Sequence, residues 1–201
     1  MLALGLTASA HASITIEGLR LQSSTRGTVT REASAAFAEL GEDRRQIIAR
    51  DLVLNVTVGT TETMTTAAPR AILMIGDGQP TAEDATPDLD QVRHYADEFG
   101  QQASKGDFLL QGLDKPIDVL FGTRGSISAE QMIWSVRYNR MIVPRPFRQV
   151  LEVGGAELIL EGDGLMVDQE FREWNYLVEP GNESTLTYEN HTPVDPAEDA
   201  P

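Results

Sequence analysis

The chain has 201 residues and no cysteine, and 16 Lys and Arg residues against 31 Asp and Glu residues give a formal net charge of −15. Without cysteine there is no disulfide, thiolate metal site or thiol nucleophile. The negative charge opposes contact with phosphate backbones, so direct sequence-specific nucleic-acid binding is not expected. A hydrophobic fraction of 41% is too high for a disordered chain, and the length suits one domain.

The N-terminal segment, residues 1–13 (MLALGLTASAHAS), has an apolar stretch followed by Ala8, Ala10 and Ala12 in the small-x-small spacing of a secretory signal. No Lys or Arg precedes the apolar stretch, which opposes that interpretation. We therefore predict an apolar arm that packs on the body or on a neighbouring subunit, with a signal peptide as the alternative. No apolar run reaches transmembrane length, so no membrane span is predicted.

Period-two alternation of apolar and polar residues predicts most of the secondary structure. Residues 51–58 (DLVLNVTV) are the clearest half-buried strand. The continuous apolar run at residues 70–75 (RAILMI) is typical of a strand covered on both faces. Residues 127–143 are predicted as one long strand, and Gly154-Gly155 predicts a two-residue hairpin turn.

Helical signals are few. Apolar residues at helical spacing predict a helix over residues 87–104, with Thr86 as a possible N-cap and Pro87 at the first helical position. A short second helix is predicted over residues 32–40.

Eight or nine short strands bounded by turns, with one helix in a long connection, predict an all-β fold. We expect a two-sheet β-sandwich of jelly-roll type over residues 14–191, because such folds tolerate long crossings over the ends of their sheets. Residues 192–201 (TPVDPAEDAP) are Pro-rich and acidic, and predict a disordered tail.

No motif predicts catalysis, a cofactor or a metal. Asp77 and Asp163 each lie in Gly-Asp-Gly, a setting that can hold a cation or an acid/base group, although turn chemistry also explains it. A hydrolase built on these two carboxylates is one hypothesis. His11, His94 and His191 are not at metal-ligand spacing. Asn55, Asn182 and Asn190 match the N-glycosylation pattern, with occupancy left open.

The basic residues cluster once, around two prolines and two aromatic rings. Arginine binds carboxylates through two hydrogen bonds and is enriched in protein interfaces, so this cluster predicts a subunit contact in an acidic protein. Phosphate or single-stranded nucleic acid binding, or a plain solvated strand face, are the alternatives. The predicted interface residues are Arg137, Tyr138, Arg140, Arg145, Phe147 and Arg148.

The organisation resembles the single jelly-roll coat proteins of tailless icosahedral viruses of bacteria and archaea. The resemblance rests on the apolar arm, the strand at residues 51–58, the helical excursion at residues 87–104, the strand-rich C-terminal half and the acidic tail. It implies a non-enzymatic capsid component in the virion, whose partners are copies of itself and other virion proteins. The alternative is a secreted or periplasmic β-sandwich module that binds a sugar, protein or other ligand through loops at one end.

Overall fold

The computed structural model describes residues 15–25, 29–41, 44–58, 62–78, 87–122, 125–168, 171–179 and 185–189. The predicted arm at residues 1–13 and the predicted tail at residues 192–201 lie outside these ranges. Within them the fold is all-β, as predicted, with fourteen strands and two short helices.

The strands are short in the C-terminal part and long in the N-terminal part. They are β1 (Thr15–Thr25), β2 (Val29–Leu40), β3 (Gln46–Val58), β4 (Glu62–Met74), β5 (Phe108–Gln111), β6 (Ile117–Phe121), β7 (Gly125–Ala129), β8 (Gln131–Ser135), β9 (Arg140–Val143), β10 (Phe147–Val153), β11 (Ala156–Gly162), β12 (Gly164–Asp168), β13 (Trp174–Leu177) and β14 (Thr185–Glu189). The helices are α1 (Leu89–Asp97) and α2 (Phe99–Gln102), between β4 and β5.

The first four strands form a long antiparallel meander. The helix predicted over residues 32–40 is wrong, because this segment lies in β2 and pairs with β1 on one edge and β3 on the other. Its alanines favour helix in isolation, but Ala33 and Ala35 are buried while Ser34 between them is exposed. Tertiary pairing therefore overrides the local propensity.

The sheet divides at β4. One part of its free edge, residues 70–73, pairs with β5, and another part, residues 64–67, pairs with β6. We call β5, β8, β9, β12 and β13 the helix layer, and β6, β7, β10, β11 and β14 the open layer. Buried side chains of both layers join one hydrophobic cluster, so the layers face each other.

The jelly-roll order is not confirmed. The chain crosses between the layers at each of β5–β6, β7–β8, β9–β10, β11–β12 and β13–β14, and each bent pair lies beside the next. The result is a serial meander folded over on itself. The strand predicted over residues 127–143 is instead three strands with a turn at residues 136–139, where Asn139 has a φ of 52°. The Gly154-Gly155 turn is confirmed, with φ values of 62° and 85°.

The long strands also bend, along a line across the sheet that we call the fold line. On β3 the inward residues are Ile47 and Ala49 before the line, and Leu52 and Leu54 after it. The phase of alternation shifts at Asp51, which has a φ of 53°. A residue in the left-handed region bends its strand and changes which face the next side chains occupy.

The helices cover the outer face of the helix layer. Ile133 and Ile142 face outward and pack with the helices, whereas their neighbours Trp134 and Met141 face the interior. Most residues of β5, β8, β9 and β12 are therefore buried, whichever face they occupy, whereas β13 at the edge of the layer is only partly buried. The apolar residues that predicted a helix over residues 87–104 are confirmed as its packing face.

The helix begins later than predicted. Asp88 is the N-cap of α1: its side chain accepts a hydrogen bond from Gln91 N at 2.8 Å, and the Gln91 side chain accepts one from Asp88 N at 2.8 Å. This capping box satisfies backbone N–H groups that the first turn leaves unpaired. Thr86 lies outside the described residues.

A buried carboxylate joins the helix to the layer beneath it. Asp107 is fully buried and accepts hydrogen bonds from Tyr95 OH and Ser104 N, both at 2.6 Å, and from Val136 N at 2.5 Å. Burial raises the pKa of the Asp107 carboxyl, because desolvation outweighs these hydrogen bonds, which lower it. Burial beside this carboxylate also raises the pKa of Tyr95. No sequence motif predicted this network, because a lone Asp before a strand has no recognisable pattern.

Candidate apolar ligand site

A cavity of about 290 Å³ opens between β10 of the open layer and β13 of the helix layer. Its walls are aromatic or aliphatic except for one amide and one phenol. The lining residues are Phe121, Gln149, Leu151, Phe171, Trp174 and Tyr176. Sequence patterns placed Trp174 and Tyr176 on a strand, but nothing in the sequence indicated that β13 would face β10.

Aromatic rings from both layers meet at the inner wall. The Phe121 ring, at the end of β6, makes edge-to-face contacts with Phe171 at 5.3 Å and with Trp174 at 5.4 Å between ring centroids. Phe171 also contacts Trp134, deeper in the helix layer, at 6.4 Å. Such pairs add about 0.5–1.5 kcal/mol each beyond the area they bury.

The two polar groups of the wall bind each other. Tyr176 OH donates to Gln149 Oε1 at 3.0 Å, and the Tyr176 ring stacks on Phe147 with centroids 6.2 Å apart. Trp174 Nε1 donates to the carbonyl oxygen of Phe171 at 3.1 Å. Burial raises the pKa of Tyr176, so the phenol is neutral and remains a donor. The surface offered to a ligand is therefore mainly apolar.

Phe171 lies shortly before β13 and is held by Asp168, the last residue of β12. The φ of Phe171 is 56°, a left-handed conformation that is unfavourable for a bulky side chain. Asp168 stabilises this arrangement, because its Oδ1 accepts from Arg172 N at 2.6 Å and Glu173 N at 3.0 Å. Phe171 N donates to Asp168 O at 3.0 Å. The arrangement directs the Phe171 ring into the interior, where it is buried.

A buried cation lies beside the same aromatic cluster. The Arg31 guanidinium, on β2, lies 4.7 Å from the ring centroid of Trp134. Burial lowers the pKa of Arg31, and the negative charge of Asp107 opposes that shift. The contact joins the N-terminal meander to the helix layer across the interior.

The structure does not bring the predicted interface residues into one patch. Arg137 lies over the ring of Tyr138, with Cζ 5.2 Å from the centroid, in the turn between β8 and β9. Phe147 faces the interior beside Tyr176. The other three arginines pair with carboxylates of the same chain. The pairs are Arg140–Glu173 at 3.2 Å, Arg145–Asp97, and Arg148–Glu161 at 3.9 Å. Contact of any of these six residues with a second copy stays a prediction.

Asp77 and Asp163 lie in separate turns. Asp77 Oδ1 accepts from Lys105 N at 2.9 Å, and Asp163 Oδ2 accepts from Glu179 N at 3.4 Å. Both carboxylates therefore accept backbone hydrogen bonds at turns. Among the described residues, no three His, Asp or Glu side chains form a group that could hold a metal ion.

The remaining sequence candidates occupy unrelated places. His94 is on α1, with Nε2 3.5 Å from Glu98. The Asn55 side chain accepts a hydrogen bond from Thr65 Oγ1 at 2.9 Å across two strands. The other candidates, His11, His191, Asn182 and Asn190, lie outside the described residues.

A second depression, of about 750 Å³, lies on the outer face of the open layer. It is wide, and acidic side chains such as Asp118 and Glu161 share its walls with Arg148. A wide depression encloses little of a ligand's surface. The smaller apolar cavity is therefore the better candidate site.

No protein-family model matches the chain, and no curated protein matches it. Among solved structures it is similar to LptH from Pseudomonas aeruginosa, described as the LptA-homologous periplasmic component of the lipopolysaccharide transport device. The TM-score is 0.45 and the sequence identity 15%, over 78% of this chain and 93% of LptH. At that level the likeness does not carry the role of LptH over to this chain.

The prediction of a capsid component in the virion is wrong. No family model or curated protein supports a coat protein, and the solved structure reported above is a periplasmic transport component. No helix among the described residues is long and apolar enough to cross a membrane.

Proposed function

We propose that this chain is a non-enzymatic binding module that holds the apolar chain of a ligand in the cavity between β10 and β13. The observation that carries the proposal is the cavity wall itself, where rings from both layers surround a space that opens to the surface. Its volume of about 290 Å³ is just below the range of about 300–1,000 Å³ for ligand pockets, which suits a short apolar segment.

An apolar chain fits this wall better than a sugar. The hydroxyl of Tyr176 is already bonded to Gln149, and the indole N–H of Trp174 to a backbone carbonyl. A sugar would bring hydroxyl groups into a space with few free partners, and each unsatisfied hydroxyl costs about 1–3 kcal/mol. An acyl chain loses no hydrogen bonds there and gains about 0.8 kcal/mol for each buried CH₂.

The proposal includes export to the periplasm or the exterior, which the Ala8, Ala10 and Ala12 pattern motivates. The two facing layers of the single folded sheet, in place of the two-sheet sandwich that the sequence predicted, supply the walls of the site. Mass spectrometry of protein from its native source tests export. Cleavage after Ala10 or Ala12 supports it, and a retained Met1 contradicts it.

Fluorescence titration with decanoate tests the ligand. The chain has two tryptophans, and Trp174 lines the cavity while Trp134 is fully buried outside its wall. We expect saturable quenching of Trp174 fluorescence in the wild-type protein. The Leu151→Asp variant places a charge in the cavity wall and should weaken binding at least tenfold.

Leu120→Asp is the matched control, because Leu120 is 51% exposed and absent from the cavity wall. It should bind decanoate as the wild type does. Equal affinity of all three proteins, or displacement of decanoate by maltotriose, would contradict an apolar site.

A further inference from the structure

The two layers are joined at the mouth of the folded sheet, the edge opposite the fold line, by side chains. Beyond β4, each strand pairing in the described residues joins strands of the same layer. Among the described residues, the contacts at the mouth include those of Phe121 with Phe171 and Trp174, and of Arg31 on β2 with Trp134. At the cavity wall, Tyr176 also joins the layers by its hydrogen bond to Gln149 and its stacking on Phe147. Parting the layers there would break no strand pairing.

The fold line opposite the mouth is suited to bending. Gly18 on β1 has a φ of 66° and Asp51 on β3 has a φ of 53°. Both fall where the ladders skip a position, opposite residue 36 on β2. Further along the sheet, the strands are interrupted at residues 112–116 and 144–146. A few element-terminal positions that already depart from regular strand geometry are the usual hinge of a moving layer.

Among the described rings at the mouth, Phe171 alone has an unfavourable backbone conformation. It contacts Phe121 of the open layer and Trp134 of the helix layer, and it lines the cavity. The hydrogen bonds of Asp168 hold Phe171 in this conformation. Strain of this kind persists where the surroundings impose it, and it gathers at ligand clamps and switch regions.

We propose that Phe171, held in place by Asp168, is a latch. When Phe171 withdraws from between Phe121 and Trp134, the layers part at the mouth, bend at the fold line and admit a ligand to the cavity. The loss of aromatic contacts opposes this step, and relief of the left-handed conformation of Phe171 partly offsets the loss. The role of the movement in ligand entry rests on the proposed function, whereas the movement itself does not.

Pairs of spin labels can measure the separation of the layers, because the chain has no native cysteine. One pair, Leu120→Cys with Val136→Cys, spans the mouth between exposed positions of the open layer and the helix layer. The control pair, Leu120→Cys with Val153→Cys, lies within the open layer at two exposed positions. Electron–electron resonance then gives a distance distribution for each pair.

We expect Phe171→Ala to lengthen the cross-mouth distances by several ångströms and to broaden their distribution, with the control pair unchanged. Asp168→Ala removes no aromatic side chain but removes the hydrogen bonds of the Asp168 side chain to Arg172 N and Glu173 N, and it should produce the same shift. It serves as the second variant if Phe171→Ala fails to fold, a failure that would show as a shift in both pairs. Cross-mouth distances unchanged in a folded Phe171→Ala or in Asp168→Ala would overturn the latch.

The two proposals fail in different ways. A protein whose mouth opens in Phe171→Ala but which binds no decanoate would refute the proposed ligand and leave the latch. A protein that binds decanoate while its cross-mouth distances stay fixed in every variant would refute the latch and leave the binding function.

Discussion

The chain passes back and forth between the helix layer and the open layer, yet the strands of the two layers bury their residues differently. In β8 of the helix layer, Met132, Ile133 and Trp134 are consecutive and all fully buried. In β6 of the open layer, buried Val119 and Phe121 flank Leu120, which is exposed. The difference comes from the helical excursion between β4 and β5, which covers one layer only. A single connection therefore decides which half of a sheet is fixed and which half keeps a free face.

The largest expected effect tests this difference directly. Ile133→Ala removes a buried side chain between the helix layer and α1, and should lower the free energy of unfolding by about 2–5 kcal/mol. Leu120→Ala, at the outward position of the open layer, should change it by no more than about 0.5 kcal/mol. Urea unfolding followed by circular dichroism measures both. Similar losses in the two variants would mean that the layers are not covered unequally.

The second prediction concerns the attachment of the helix. In Asp107→Asn, an amide N–H₂ group replaces one of the two oxygens on which Tyr95 OH, Ser104 N and Val136 N converge. At least one donor then faces another donor, and we expect a loss of about 1–3 kcal/mol at low pH. Urea unfolding at pH 4 measures it, and a loss equal to that of Leu120→Ala would contradict the attachment.

The pH dependence of Asp107→Asn has a defined sign. The folded pKa of Asp107 is raised above its ordinary value of 3.8, so the folded state holds the proton more tightly than the unfolded state. Its contribution to stability is present below the unfolded pKa and is lost as the pH rises through the folded pKa. The advantage of the wild type over Asp107→Asn should therefore shrink as the pH rises above the unfolded value of 3.8 and through the folded pKa. An advantage that grows with pH would contradict this sign.

The alternation of apolar and polar residues could predict the strands of the open layer and the long strands. One face of each of these strands is exposed, and the apolar residues identify the buried face. The alternation failed in two places for physical reasons. In β2, residues with high helix propensity pair on both edges, and pairing between distant segments is not visible locally. The candidate cavity could not be predicted either, because Phe121 and Trp174 are far apart in sequence and only the fold brings their strands together. The turn at Gly154-Gly155 was predictable because its geometry requires those residues.

A smaller effect is expected at the fold line that separates the layers. Asp51 has a positive φ that glycine adopts without cost, so Asp51→Gly should raise the free energy of unfolding by about 0.5–1 kcal/mol. Ala36→Gly, at the facing position on β2, is the control, because Ala36 has no positive φ to relieve. It should lower the free energy of unfolding by a similar amount. A loss in both variants would show that the conformation of Asp51 is not strained.

The smallest expected effect on the free energy of unfolding comes from exposed ion pairs, of which each layer has one that can be compared. Arg145 pairs with Asp97 at the end of α1, whereas Arg148 pairs with Glu161 on the outer face of the open layer. Exposed pairs contribute about 0.2–1 kcal/mol, so Arg145→Ala should cost more than Arg148→Ala, because the first pair also ties the helix to its layer. Sedimentation of both variants tests the predicted subunit contact at the same time. If copies of the chain associate through these arginines, each substitution should weaken the association even where the free energy of unfolding is unchanged. If neither substitution weakens association, the arginines serve the fold of a single chain.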